Sequence, residues 1–148
     1  MKNSEYAILH VATHGFFNAE SNQSYLVAYD DRLTLDGLEN IVQLTRFHKQ
    51  PVELLTLSAC ETALGDERAA LGLAGIALKA GVKSAIATLW AIEERSSSVV
   101  MTEFYRELLN KEFSKAMALR NSQIKAIKNT DYSHPFYWAP FLLIGNWM

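Results

Sequence analysis

Tyr6-Ala7-Ile8-Leu9-His10-Val11-Ala12 is a short apolar run of strand-compatible residues that stops at Thr13-His14-Gly15. The pattern returns after Pro51, where Val52-Glu53-Leu54-Leu55-Thr56-Leu57 stops at Ser58-Ala59-Cys60-Glu61-Thr62. Each run reads as a buried strand that delivers polar residues to a loop. Val82 to Leu89 and Phe141-Leu142-Leu143-Ile144 repeat the apolar pattern and predict two further strands. Between them lie helix-forming segments. Ala69 to Ala80 is rich in Ala and Leu, with Gly72 and Gly75 placed for close packing and Gly81 where a helix C-cap belongs. Ser96 to Asn110 is amphipathic, with Val99, Met101, Phe104, Tyr105 and Leu108 on its predicted inner face, and Ser114 to Lys128 forms another helix. Between the first two strands, Tyr25 to Tyr29 and Arg32 to Leu35 flank an Asp30-Asp31 break and predict a peripheral hairpin, with Asp36 capping a short helix through Leu44. Near-continuous apolar strands alternating with helices specify an α/β fold, in which a mainly parallel sheet carries helices on both faces.

Composition narrows the function classes. The 148 residues include 14 Lys and Arg against 16 Asp and Glu, a net charge of −2, with 49% hydrophobic and 20% charged residues. That is the profile of one folded domain spanning 1–148, large enough to need no disulfide or metal staple. Cys60 is the single cysteine, so no disulfide framework exists within the chain. A near-neutral balance without a block of like charges argues against nucleic acid or an anionic membrane as partner. No stretch approaches the roughly 20 apolar residues of a membrane span, and Met1 to Tyr6 carries no export signal. A lone thiol in that setting predicts a reducing, cytoplasmic location.

The chemistry is concentrated at two strand ends. In open α/β sheets the functional crevice lies beyond the carboxyl ends of the strands, and two of those ends present His14 and Cys60. If the strands are parallel neighbours, both residues emerge at one edge, as a Cys/His nucleophilic pair requires. A thiolate beside an imidazolium is favoured over the neutral thiol, and the same imidazole can protonate a leaving amine. Gly15, without a side chain, lets its backbone N–H approach a substrate oxygen, with the Cys60 N–H as second oxyanion donor. The residues alone leave a second reading open, in which Cys60 is a small buried hydrophobe and the His14-Gly15 dipeptide by itself proves nothing. His10 and His14 lie roughly 13 Å apart along a strand, too far to share a metal, and His10 reads as a structural histidine. Asp66 and Glu67 read as helix caps, and His134, Tyr137 and Trp138 as packing of the terminal segment. Neither a P-loop, a GxGxxG pattern nor a G-x-S-x-G elbow occurs, which disfavours nucleotide binding and serine hydrolysis.

Ile8-Leu9-His10-Val11-Ala12-Thr13-His14-Gly15 followed by Leu57-Ser58-Ala59-Cys60-Glu61-Thr62 closely resembles the CHAT domains, caspase-like cysteine peptidases often attached to tetratricopeptide repeats. The resemblance continues through Gly72-Leu73-Ala74, Thr88-Leu89-Trp90, Phe104-Tyr105, Ala118-Leu119-Arg120 and His134-Pro135-Phe136-Tyr137-Trp138-Ala139-Pro140-Phe141 to Ile144-Gly145. It implies the caspase-like three-layer sandwich shared with separases and gingipains, with His14 as catalytic histidine, Cys60 as nucleophile, Gly15 in the oxyanion hole and Glu61 adjacent to the site. The implied activity is endopeptidase cleavage of a protein or peptide substrate through a thioester, without a cofactor. Two departures stand out. CHAT domains usually carry further strands before the histidine strand, so the chain resembles the C-terminal portion of one. On its own it is then expected to expose an unpaired edge, to need a regulatory subunit or repeat region as partner, or to be inactive. The family usually has an aspartate after Trp90, where this chain reads Ala91-Ile92-Glu93-Glu94-Arg95. Glu93 and Glu94 would favour a basic residue before the scissile bond, or else simply occupy the first turn of the next helix. The runner-up function is an inactive CHAT-derived interaction module.

Overall fold

Period-two burial is clearest in β1 (Ile8–Phe16), where Leu9, Val11 and Thr13 are half-buried and Ile8, His10, Ala12 and His14 are exposed. The computed structural model describes residues 8–16, 24–46, 52–61, 74–75, 77–110 and 112–148, with the backbone alone at 35, 43–46 and 58–61. β1 is longer than the apolar run that announces it, because its ladders continue through the polar residues. β4 (Leu54–Glu61) pairs with it in parallel from Ile8↔Leu54 to Gly15↔Glu61. β2 (Tyr25–Val27) pairs antiparallel at Gly15↔Leu26 and Phe16↔Tyr25, and Thr13 Oγ1 donates to the Val27 carbonyl at 2.6 Å. His14 and Cys60 therefore stand in the last residues of strands, not in loops beyond them.

With β3 (Arg32–Thr34), β5 (Ser84–Thr88) and β6 (Phe141–Gly145), the sheet order is β3-β2-β1-β4-β5-β6. Only the central β1, β4 and β5 are mutually parallel; three of the five pairings are antiparallel, so the sheet is mixed where a mainly parallel one was expected. The cause lies in the connections. The β2–β3 hairpin closes on itself, Ala28 N–H donating to the Asp31 carbonyl at 2.8 Å. After β5 the chain runs through two helices, α2 (Glu94–Leu108) and α3 (Lys115–Lys128), which return it to the end it left, so β6 enters antiparallel.

Helices cover both faces. The crossovers β1 to β4 and β4 to β5 step the same way across the sheet, and right-handed crossovers then put their helices on one side. There α1 (Leu35–Arg46) and the helical residues 77–80 bury Leu38, Val42, Ala77 and Ala80 against Leu26, Leu55 and Leu57. On the other side α2 and α3 bury Val100, Phe104, Ala118 and Leu119 against Leu54, Ile86 and Phe141. Phe104 and Leu54 are fully excluded from solvent, each worth about 1.5–3 kcal/mol.

The helix ends refine several expectations. Thr34, at the end of β3, accepts the Gly37 N–H at 3.2 Å, so it caps α1 and Asp36 lies in the first turn. Ser114 caps α3 through the Met117 N–H at 3.2 Å. Gly81, at φ +110°, ends the helix before β5: its N–H reaches Leu78 O and that of Val82 reaches Ala77 O, a Schellman closure. Gly75 is exposed and a Cβ there would meet nothing within 4 Å among the described residues, which corrects its reading as a close-packing glycine; Gly72 lies outside the described residues. In α2, Val99 is exposed and Val100 takes the inner position.

Candidate active site

Two parallel strands whose last residues are polar place those residues side by side at one edge of the sheet. The register pairs His10 with Thr56, Ala12 with Ser58 and His14 with Cys60. Neighbouring strands lie about 4.8 Å apart, so His14 and Cys60 occupy adjacent backbone positions. Leu54 belongs to the cluster under α2, and the Tyr105 hydroxyl of α2 donates to Thr56 Oγ1 at 2.9 Å.

Along β1, His10, Ala12 and His14 form one wall of a cavity of about 530 Å³. Glu94, Ser97, Met101 and Tyr105 of α2 form the facing wall. His14 and Glu94 both line it, and His10 lies against Tyr105, ring centroids 5.5 Å apart and planes tilted by 39°. Although His10 is exposed as a whole residue, desolvation of its ring holds the imidazole below its ordinary pKa, favouring the neutral form. Burial also raises the Tyr105 phenol, with the Thr56 hydrogen bond opposing it. His10 and Tyr105 thus make their part of the cavity lining polar but uncharged.

The remaining sequence candidates fall around this arrangement. Gly15 is buried within the sheet, with Leu26 and Glu61 as its register partners on either side, whereas the sequence suggested a loop position. Glu61 is the last residue of β4. Glu93 is exposed just before α2, its carbonyl accepting the Ser97 N–H at 3.0 Å and the Ser96 hydroxyl at 2.9 Å; its carboxylate makes no cap hydrogen bond. Glu94 lies in the first turn of α2 and lines the cavity. Asp66 and Glu67 lie outside the described residues. His134 Nδ1 accepts the Phe136 N–H at 3.2 Å and Trp138 Nε1 donates to the Ser133 carbonyl at 3.1 Å, both local packing roles. Among the described residues, no group of three or more His, Cys, Asp or Glu side chains could hold a metal ion, and no helix is long and apolar enough to cross a membrane.

Sequence reasoning missed the Thr56–Tyr105 bond that fixes the cavity's helical wall. A signal was present: a threonine between Leu55 and Leu57 in a buried strand requires a partner for its hydroxyl.

Comparison with known proteins agrees with the sequence resemblance. The chain is 30% identical over 99 residues to human tetratricopeptide repeat protein 28 and 33% identical over 98 residues to the mouse protein of that name. These alignments cover 65% and 64% of this chain but only 4% of either relative's length. The CHAT domain family model matches residues 1–146, and the chain belongs to the CHAT domain family.

Proposed function

We propose that this CHAT domain is a caspase-like cysteine endopeptidase acting through a His14/Cys60 dyad. The observation that carries the reading is the β1–β4 register, in which His14 and Cys60 are direct partners at the carboxyl ends of parallel strands. The parallel core with helices on both faces supports the caspase-like sandwich. In the reaction the Cys60 thiolate adds to the peptide carbonyl carbon, and the oxygen takes the negative charge beside the N–H groups of Gly15 and Cys60. His14 donates its proton to the amide nitrogen as the C–N bond breaks, leaving a thioester and a free amine. His14 then takes a proton from water as the hydroxide adds. Collapse breaks the C–S bond, releases the acid and returns the thiolate.

Glu94, which lines the same cavity as His14, makes Lys or Arg the preferred residue before the scissile bond. The names of the relatives support a tetratricopeptide-repeat region as the setting in which the domain works, within one polypeptide or as a partner subunit. A second reading, a non-catalytic interaction module, draws on Gly15, which is buried between two register partners.

The test is Cys60 alkylation at pH 7 in wild type and His14→Ala, followed by intact mass, together with cleavage of peptides carrying Lys, Arg or Gln before the scissile bond. Opposite charges about 4 Å apart in an exposed site are worth about 1 kcal/mol in water and more where solvent is reduced, so losing His14 should slow alkylation roughly five- to tenfold. Cleavage after Lys or Arg should vanish in Cys60→Ala and lose its basic preference in Glu94→Gln. Equal alkylation rates reject the dyad, and full peptidase activity in Cys60→Ala rejects the nucleophile.

A further inference from the structure

On the far side of β1 from Cys60, the face that carries His14 bears side chains the reaction leaves unused. Phe16, two residues beyond His14, stacks on its register partner Tyr25 with centroids 5.6 Å apart and planes 18° apart. The Arg32 guanidinium carbon lies 4.4 Å from the centre of the Tyr25 ring. Register explains the contact: Arg32 pairs with Val27 and Thr34 with Tyr25, so Arg32 sits diagonally across from Tyr25 on one face. Leu26 and Leu33 point the other way, into the cluster beneath α1. The buried sheet residues under α2 and α3 come from β4, β5 and β6, and Val27 and Arg32 stay exposed. A strip of two aromatic rings and a guanidinium thus runs from the edge at His14 out to β3.

Arg32 forms no ion pair among the described residues. The neighbouring Asp31 carboxylate accepts the Arg32 backbone N–H at 2.7 Å, and Asp30 is exposed in the same turn. The contact with Tyr25 orients the guanidinium, and among the described residues no carboxylate pairs with it, the presentation suited to a carboxylate ligand. Three strand spacings separate β4 from β3, roughly 14 Å, and an extended chain covers about 3.3 Å per residue.

We propose that Phe16, Tyr25 and Arg32 form a substrate subsite that takes an acidic residue of the polypeptide, about four positions from the bond cleaved at Cys60. The occupant is identified by charge complementarity to Arg32 and by the continuity of the strip with His14. The assignment rests on the peptidase reading, since the substrate is what spans both places. Glu94 at one end and Arg32 at the other then orient the bound chain, basic residue toward α2 and acidic residue toward β3.

The experiment uses fluorescein-labelled ten-residue peptides with one Lys in an otherwise Gly/Ala/Ser sequence. A Glu is placed two to six residues away on either side, and each peptide has a Gln counterpart. Binding to the full chain carrying Cys60→Ala is followed by anisotropy, with Arg32 retained or changed by Arg32→Gln or Arg32→Glu. The expected result is that Glu about four residues away, on one side only, binds roughly three- to tenfold tighter than Gln, an advantage that fades at high salt. Arg32→Gln should level the two peptides and Arg32→Glu should reverse the order. A Glu advantage that survives Arg32→Gln, no advantage at any position, or no binding of either peptide overturns the subsite. Failure of the dyad appears elsewhere, as equal Cys60 alkylation with and without His14. A preserved Glu preference in that case leaves a peptide seat on a domain that is not a peptidase.

Discussion

The same substitution, Gly to Ala, should have opposite effects at two glycines. Gly145 ends β6 at φ +99°, and a Cβ there would lie 2.5 Å from Lys83 O, 2.8 Å from Leu78 Cδ2 and 3.2 Å from Ser84 Cα. The backbone it strikes has little room to retreat. Lys83 O already accepts the Asn146 N–H at 2.9 Å, Lys83 N–H donates to the Val52 carbonyl at 3.0 Å, and the Ser84 hydroxyl donates to the Glu53 carbonyl. A left-handed backbone costs an L-residue about 1–2 kcal/mol and overpacking about 1–3 kcal/mol, so Gly145→Ala should destabilise by about 2–5 kcal/mol. With a urea m-value of about 2 kcal/mol/M, the midpoint falls by about 1–2.5 M. Gly75→Ala, at an exposed helical position where a Cβ meets nothing among the described residues, should instead stabilise by about 0.5–1 kcal/mol. Urea unfolding followed by circular dichroism measures both. A Gly145→Ala midpoint within experimental error of wild type, or shifted in the same direction as Gly75→Ala, would refute the reasoning.

Two further outcomes follow from the packing of α2. Tyr105→Phe removes the donor to Thr56 Oγ1, a nearly fully buried atom, and should cost about 1 kcal/mol in urea unfolding; an unchanged midpoint would mean that the bond contributes nothing net. Burial disfavours the Glu103 charge, but the hydrogen bond and charges of Lys125 and Arg106 outweigh it and hold the carboxyl below its ordinary pKa. A depressed folded value stabilises the fold above the unfolded value of about 4.3 and loses that contribution as pH falls through the folded one. Because both cations are more than half exposed, wild type should exceed Glu103→Gln by about 1 kcal/mol at neutral pH, with the gap closing below about pH 4; a gap independent of pH would exclude the ionic origin.

How legible each feature was depended on whether its cause was local. The runs ending at His14 and Cys60 mark two strands by composition alone, and the family resemblance names their chemistry. The register joining them depends on contacts across more than forty residues of chain, beyond any periodic signal. Strand ends were read short because Thr13-His14 and Ser58-Ala59-Cys60 look like loop sequence; ladders with neighbouring strands carry them on as strand. On α2 the amphipathic pattern predicts Val99 inward, whereas Val100 is the buried residue and the buried stripe also takes in Ser96 and Ser97, whose polarity hides them from a hydrophobic pattern. Both are buried, with the Ser96 hydroxyl and the Ser97 N–H directed to the Glu93 carbonyl. Thr34 and Asp36 are both good cap residues, and only the end of the β2–β3 hairpin decides that Thr34 serves. The direction of β6 was equally hidden, since Phe141-Leu142-Leu143-Ile144 suits either sense and the two intervening helices decide it.

The site's two walls differ in how firmly they are held, and this bears on specificity. Phe104 anchors α2 in the core, Tyr105 ties it to β4 through Thr56, and Glu103 ties it to α3 through Lys125. Those three consecutive residues bind three different surfaces, so the wall bearing Glu94, Ser97 and Met101 is fixed against the sheet. The other wall is β1, paired along its length with β4 and with β2 by ladder pairs at Gly15 and Phe16 and the Thr13 hydroxyl to the Val27 carbonyl. Any movement of the β2–β3 hairpin therefore bears on Gly15, next to His14, and on Phe16, which stacks with Tyr25. A substrate seated on Tyr25 and Arg32 would press on the short ladder beside the proposed oxyanion donor, whereas one held only by Glu94 would not. Selectivity for the basic residue should then appear mainly in binding, and selectivity for the acidic residue should extend into kcat.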